Sequence, residues 1–434
     1  MEAKPVAGDR FVVEGRRPVG GSLVPAGNKN EALPALAATL LAPGDCVLEN
    51  VPAIRDVRTL LEILAELGVV ASPLAAGQAL HVDSANLAER PPSPELGATI
   101  RGSFLLAPGL LHRTGRARLP RPGGDRIGRR RIDTHLHALR LLGAQVEVSE
   151  RQFHLRLDGR FRGGDIFLDE ASVMATENAV MAAAVAEGHT RIANAASEPH
   201  VQGLCRLLNA MGAEIQGIGS NVLEVEGVAE LRPAAHRIGP DHIEIGSFVA
   251  IAAMTGGELR IAEVEPDDLR MIRMVFARLG VRVEIQGRTL TVPAKQDLVV
   301  QDDLDGAIPK VDDAPWPGFP SDLTAIALVL ATQARGTVLI HEKMFENRLF
   351  FVDRLISMGA RVVLCDPHRA IVTGPSELQG ETLSSPDIRA GMALVAAALC
   401  ARGRSVIMYA NQVDRGYERI DERLRELGAE IVRA

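Results

Sequence analysis

The sequence predicts a two-domain α/β protein with helices in the interior and sheets wrapped around them. Two recurrences and the chain length carry this reading. An apolar run ending in Leu-Gly or Met-Gly, followed by an alternating segment, occurs six times, with its glycine at Gly68, Gly143, Gly212, Gly280, Gly359 and Gly428. Successive differences of these positions are 75, 69, 68, 79 and 69 residues, a period that marks an internal repeat. A second series, in which a small-residue helix runs into glycine and then a strand, falls between members of the first, at Gly44, Gly115, Gly188, Gly257, Gly336 and Gly403. At 434 residues the chain also exceeds what one compact core usually holds.

Each repeat therefore contains two helices, each stopped by glycine and followed by a strand. Glycine just past a helix adopts the left-handed conformation that ends it. The residues after it alternate, as in Ala144-Gln145-Val146-Glu147-Val148 and Val281-Arg282-Val283-Glu284-Ile285. Helices such as Met392 to Ala401 are apolar on nearly every side and suit an interior, whereas the Arg354 to Met358 type is partly polar and faces outward. Six units divide into two groups of three. A repetitive α/β layer protein without special symmetry is the other reading of this pattern.

Composition narrows the function. Hydrophobic residues make up 47% and charged residues 24%, ordinary for a globular chain and unlike a disordered one. Aromatic residues are only 3%, with Trp316 the sole tryptophan, so a base-stacking surface has little material. A net charge of −7 argues against a general polyanion binder, and no nucleic-acid partner is expected. Cys46, Cys205, Cys365 and Cys400 are scattered, which fits neither a zinc cluster nor a disulfide framework. Met1 to Arg10 carries charges and proline where a secretory leader needs an apolar run. The uncharged segments Ala32 to Gly44, Ile245 to Gly257 and Ala390 to Ala401 are too short to cross a bilayer, so no membrane partner and a cytoplasmic location are expected. A monomer or weak homo-oligomer is expected.

Four sets of segments could carry chemistry. In Pro25-Ala26-Gly27-Asn28-Lys29-Asn30-Glu31, a turn enters a helix that Asn30 can cap, and free N–H groups plus Lys29 suit a phosphate or carboxylate. An ordinary capped helix with a solvated lysine explains the same residues. Residues 119 to 133 hold three glycines, two prolines, five arginines and the acids Asp125 and Asp133, and read as a mobile charged lid over an anionic substrate. A solvated basic loop is the alternative. The adjoining His135-Leu136-His137 is rejected as a metal pair, because residues two apart on a helix point to different faces. Asp312 to Asp322 is a proline-punctuated approach to a helix starting near Asp322; it either holds a carboxylate in place as a general base or caps the helix through Ser321 or Asp322. Phe345-Glu346-Asn347-Arg348, Asp387-Ile388-Arg389 and Asp414-Arg415-Gly416-Tyr417-Glu418-Arg419 each set acid beside base next to an apolar helix.

Taken in order, the Lys29-Asn30 pair, Arg101 before an apolar helix, the Pro-Gly-Gly loop ending at Arg130 and Asp133, Phe319-Pro320-Ser321-Asp322 and the three acid–base segments resemble the enolpyruvyl transferase family over nearly the whole chain. The likeness is greatest to the branch that uses UDP-N-acetylglucosamine. The branch acting on a phosphorylated shikimate is disfavoured, since its Lys-Ser start is replaced here by Lys29-Asn30. The resemblance implies a two-domain inside-out α/β barrel of six repeated βαβαββ units, three per domain. One domain would comprise residues 1–26 and 239–434, the other 27–238 with the lid loop 120–131.

The implied reaction moves the enolpyruvyl group of phosphoenolpyruvate to a hydroxyl of a UDP-sugar and releases phosphate, with no metal or organic cofactor. Protonation at C3 makes C2 electrophilic, the acceptor hydroxyl adds there, and phosphate leaves. By resemblance, Lys29, Asn30, Arg101, Arg130, Arg348, Arg389 and Arg415 hold phosphoenolpyruvate, with Lys29 and Arg415 also counted as catalytic. Asp322 takes the acceptor's proton, and Asn30, Arg101, Asp133, Ser172, Val173, Asp322 and Met344 contact the UDP-sugar. Closure of the domains would exclude water. Asp125 occupies the lid position most often held by cysteine, so it becomes the expected proton donor, and fosfomycin, which alkylates that thiol, is expected not to inactivate the protein. Glu170, Met174, Arg131, His200 and His242 also depart from the family's usual residues on the acceptor side. This leaves open a paralogue acting on another nucleotide or nucleoside hydroxyl, or a non-catalytic nucleotide-sugar-binding paralogue.

Overall fold

The structure, a computed structural model, describes residues 9–434; the stretch read above for a leader lies outside them as far as residue 8. Among the described residues the chain divides into two units. One contains residues 9–26, Asp125–Arg129 and Pro240–Ala434; the other contains Gly27–Gly124 and Arg130–Gly239. The loop tip Asp125–Arg129 thus groups with the unit opposite to the one expected to carry it, and Gly239 ends the second unit.

The strands among the described residues form six sheets, three in each unit. The chain order Asp165–Phe167, helix Val173–Ala184, His189–Ala193, helix Pro199–Ala210, Glu214–Gln216, Val222–Glu226 spells one βαβαββ repeat. Its sheet has one parallel pair, Asp165–Phe167 with His189–Ala193, and two antiparallel pairs. The sheet around Gly336–His341 repeats the pattern. Two repeats borrow their first strand: Ala235–Arg237 pairs in parallel with Asp45–Glu49, and Gly21–Leu23 with Leu259–Ile261. Strand Arg10–Glu14 sits between Arg404–Met408 and Glu430–Arg433. The sheet of Arg116–Pro120 has only three strands.

The repeats exist because their two helices differ in character. In the unit containing the C-terminus, helices His242–Thr255, Thr324–Gln333 and Ile388–Cys400 are buried along nearly their whole length and pack on one another in all three pairings. Such all-round apolarity leaves the interior as the only stable place for them. Helices Arg270–Arg278 and Arg55–Glu66 bury one stripe only. All six glycines of the first series take positive φ, between 88° and 107°. In the second series one position needs correcting: Gly256 is the left-handed cap, at φ 76°, while Gly257 is required because a side chain there would strike the carbonyl of Val19.

The two chain crossings are built alike. Asn28 and Asp241 cap the first helix of their respective units, and the third residue of each helix is a glutamate. Glu31 accepts from the Gly239 amide at 3.1 Å and pairs with His236 at 2.8 Å. Glu244 accepts from the Ala26 amide at 2.9 Å and is gripped by Arg423 through both carboxylate oxygens. The cap is Asn28, not Asn30 as expected; Asn30 lies inside the first turn and donates its amide to the Asn28 side chain.

Among the described residues no helix is long and apolar enough to cross a membrane. Glu177, on the interior helix Val173–Ala184, is fully buried; burial, then the charge of Glu198, pushes its carboxyl well above the usual range. A group raised in the folded state gives its full stability below about pH 4.3, the unfolded value, and that contribution is lost as pH rises toward the raised value. Glu177→Gln is expected to raise Tm by about 2–4 °C at neutral pH and to change it little near pH 4, as measured by thermal unfolding across pH.

Candidate functional site

A buried charge cluster centres on Asp322, in the 3-10 turn Ser321–Leu323 ahead of helix Thr324–Gln333. Neither Ser321 nor Asp322 caps that helix. Instead one oxygen of Asp322 meets Arg348 Nη2 at 2.5 Å, and the other meets Arg389 Nη2 at 2.7 Å and Nε at 3.0 Å. Both guanidiniums are about 95% buried, whereas the Asp322 side chain keeps 23% exposure, so the carboxylate is the part of the cluster open to a reactant. Burial alone would raise Asp322, but Arg389 and Arg348 overcome it and hold the carboxyl far below its usual range.

Arg389 enters helix Ile388–Cys400 behind its cap Asp387 and lies over the Tyr417 ring, 5.4 Å from the centroid; the Tyr417 hydroxyl meets Ser247 at 3.0 Å. Arg348 Nε and Nη1 and Arg389 Nη1 are buried without a hydrogen-bond partner among the described residues. Donors in that condition suit an oxyanion, since leaving them unmet is costly. His242, the first residue of its helix, is near enough for Asp322 and Arg389 to act on it; burial first of all lowers it to about 4, so it is a neutral imidazole.

Asp125 forms a short ion pair with Arg415, both mostly buried. At the tip of the loop Glu346 accepts from the Arg129 amide at 3.0 Å, and Asn347 donates to the carbonyls of Ile127 at 3.0 Å and Arg126 at 3.3 Å. Gly128, at φ 132°, permits this approach, because a Cβ there would overlap the Glu346 carboxylate. Burial raises Asp387, which Arg348 lowers and Asp125 raises further, so the Asp322 and Asp125 pairs share one charged neighbourhood.

The other unit holds the remaining expected residues. Lys29, at the first turn of helix Lys29–Ala38, pairs with buried Asp56 at 2.6 Å. That helix packs on the turn Arg101–Leu106. Arg101 donates to the Arg131 carbonyl at 2.7 Å; burial, then the neighbouring charge of Arg130, lowers it to about 9, with Glu170 opposing. Arg131 bonds Asp169 at 2.8 Å and Asp133 at 3.5 Å, and Thr134 donates to Asp169. Ser172 caps the helix that Val173 begins. His135 is buried and held near 3 by burial, while His137, two residues on in the same helix, is exposed, so the two rings lie on different faces. Met344 is partly exposed, with its amide on Asp313. The structure therefore gathers Asp322, Arg348, Arg389, Asp125 and Arg415 in one unit, and Lys29, Asn30, Arg101, Arg130, Asp133, Ser172 and Val173 in the other.

The sequence pattern of the family described as EPSP synthase (3-phosphoshikimate 1-carboxyvinyltransferase) matches residues 13–424. The chain belongs to this carboxyvinyltransferase family. It is a transferase, and its likeness runs end to end. It is 54% identical to a Treponema denticola protein named UDP-N-acetylglucosamine 1-carboxyvinyltransferase, over 97% of this chain and 98% of the relative. A Bradyrhizobium diazoefficiens protein of the same name is 53% identical over 98% of each. Among solved structures, the enolpyruvyl transferase NikO from Streptomyces tendae superposes with a TM-score of 0.87 at 25% identity over 98% of both chains. An EPSP synthase from Acinetobacter baumannii, at TM-score 0.75 and 18% identity over 98% of this chain and 100% of that one, shares the fold.

Within this carboxyvinyltransferase, sequence reasoning missed Glu342, the link from Ser321 to it, the backbone contacts of Asp313 and the stacking role of Tyr417. A glutamate at the end of a strand, six residues before Arg348, was the available signal for Glu342.

Proposed function

We propose that this chain transfers the enolpyruvyl group of phosphoenolpyruvate to the 3-hydroxyl of UDP-N-acetylglucosamine with release of phosphate, the first committed step of peptidoglycan synthesis, in the cytoplasm. The observation that carries the reading is the Asp322 carboxylate held between Arg348 and Arg389, whose spare buried donors suit an anion. The near-full-length likeness to proteins bearing that name supports the acceptor.

In the proposed chemistry Lys29, Asn30, Arg101, Arg130, Arg348, Arg389 and Arg415 serve the phosphate and carboxylate of phosphoenolpyruvate. Arg415 exchanges Asp125 for the incoming anion, and Asp125 carries the proton that goes to C3. Asp322 takes the proton of the acceptor hydroxyl as that oxygen bonds C2; phosphate then departs with both electrons of its C–O bond as C3 gives a proton back to the Asp125 carboxylate left by the first transfer, which restores the double bond. A carboxylate pressed as low as Asp322 is a weak base by itself. An anion on the spare donors of Arg348 and Arg389 offsets the positive charge that depresses it, so its proton affinity rises when substrate is present.

Acceptor contacts are assigned to Asn30, Arg101, Asp133, Ser172, Val173, Asp322 and Met344. In the same area Arg131, bonded to Asp169, sets a cation beside the acid Glu170. A different nucleotide or nucleoside acceptor is the second reading, favoured by this local charge pattern.

Incubation with phosphoenolpyruvate and a panel of acceptors, following phosphate, separates the readings. Release with UDP-N-acetylglucosamine is expected. Release only with another acceptor moves the chain to the second reading, and none with any acceptor contradicts both.

A further inference from the structure

Strands Lys310–Asp312 and Gly336–His341 run parallel, with Asp312 opposite His341, and the residue after each is a fully buried acid, Asp313 and Glu342. Asp313 accepts the backbone N–H groups of Lys343, closely, and Met344, at 3.2 Å. Glu342 Oε1 accepts the Ser321 hydroxyl at 2.7 Å, one residue before Asp322. The Glu342 backbone is fixed by His368, its amide donating to the His368 carbonyl at 2.8 Å and its carbonyl lying 2.7 Å from His368 Nδ1.

Asp313 lies near enough to Glu342 for its charge to act on it, and two neighbouring carboxylates disfavour each other's ionisation. Burial first, and then the charge of Asp313, raises Glu342, while Arg348 pulls the other way. The charged or titratable groups facing Glu342 are thus Asp313, Arg348 and His368.

We propose that Glu342 is a positioning residue for the transfer reaction: as a neutral acid it anchors Ser321, and with it the turn that aims Asp322, and it leaves Arg348 committed to Asp322. The second function follows from charge. Arg348 Nε and Nη1 are unpartnered among the described residues, and an ionised Glu342 would draw them and weaken the contact with Asp322. Glu342 touches no reacting atom; it acts through Ser321 and Arg348. This inference rests on the reading of Asp322 as the base.

The test compares full-length wild type with Glu342→Gln, Glu342→Ala and Ser321→Ala, reading kcat and KM for phosphoenolpyruvate from about pH 6 to about pH 10. Glutamine keeps a neutral group able to accept the serine hydroxyl. It is expected to stay within about 3-fold of wild-type kcat at neutral pH and to hold its activity to higher pH than wild type, because Glu342 cannot then ionise. Glu342→Ala is expected to lose about 30-fold in kcat with KM within about 3-fold. Ser321→Ala, which removes the link without altering charge, is expected to lose about 10-fold in kcat while keeping the wild-type profile shape. A glutamine profile that superimposes on wild type, glutamine as damaging as alanine, or an unchanged kcat in Ser321→Ala would each overturn the proposal. The parent reading fails separately, if Asp322→Asn retains full activity or wild type releases no phosphate with any acceptor.

Discussion

Replacing Asp322 by asparagine is expected to lower kcat by about 10³-fold or more and to destabilise the protein by about 3–5 kcal/mol. Two effects combine. The variant loses the only group placed to take the acceptor's proton in the proposed chemistry, a role worth about 10²–10⁴ in rate. It also leaves Arg348 and Arg389, each about 95% buried, as like charges with their shared counter-ion removed. Single-turnover phosphate release well below the unfolding temperature reads the first effect, and denaturant unfolding reads the second. Because the folded value of Asp322 lies far below its unfolded one, its stabilisation is present above about pH 4 and is lost only as pH falls through that very low value. The acid limb of kcat/KM, which reports groups of the free enzyme, should therefore come from another group.

The second large effect concerns Asp125. Asp125→Ala is expected to lose about 10²–10⁴ in kcat, the range for removal of a positioned acid. Asp125→Cys restores a proton donor at the same point of the docked tip and introduces a nucleophile that fosfomycin can alkylate. Wild type should keep its activity and its mass after exposure to fosfomycin, while Asp125→Cys should lose activity and gain one inhibitor mass per chain. Inactivation of wild type with a mass gain would contradict the assignment. The ion pair with Arg415 sharpens the comparison, since Arg415→Ala would remove both the partner of Asp125 and a proposed phosphate ligand.

The repeat was legible because its signal is local. A left-handed glycine after a helix is dictated by steric clash at one residue, so the six Leu-Gly or Met-Gly positions could be read directly. The misplaced caps fail for the same reason in reverse. Asn28 and Asn30 are equally good cap chemistry two residues apart, and Gly256 and Gly257 are adjacent, so only the path of the chain chooses between them. The charged site was legible as residues but not as partnerships. Asp322 meets Arg389 across 67 residues and Ser321 meets Glu342 across 21, and no local pattern states those pairings. The lid shows the same limit, because composition marks it as a loop but cannot say that Glu346 and Asn347 hold its tip.

The central claim is that C3 of phosphoenolpyruvate is protonated and C2 then receives the acceptor oxygen before phosphate leaves. Turnover of phosphoenolpyruvate and UDP-N-acetylglucosamine in deuterated water, with the product analysed by mass spectrometry, tests it directly. Protonation creates a transient methyl group that must give back one hydrogen when phosphate departs. The product of wild type is therefore predicted to carry deuterium on its vinyl methylene. Full turnover with no deuterium at that carbon would contradict the account.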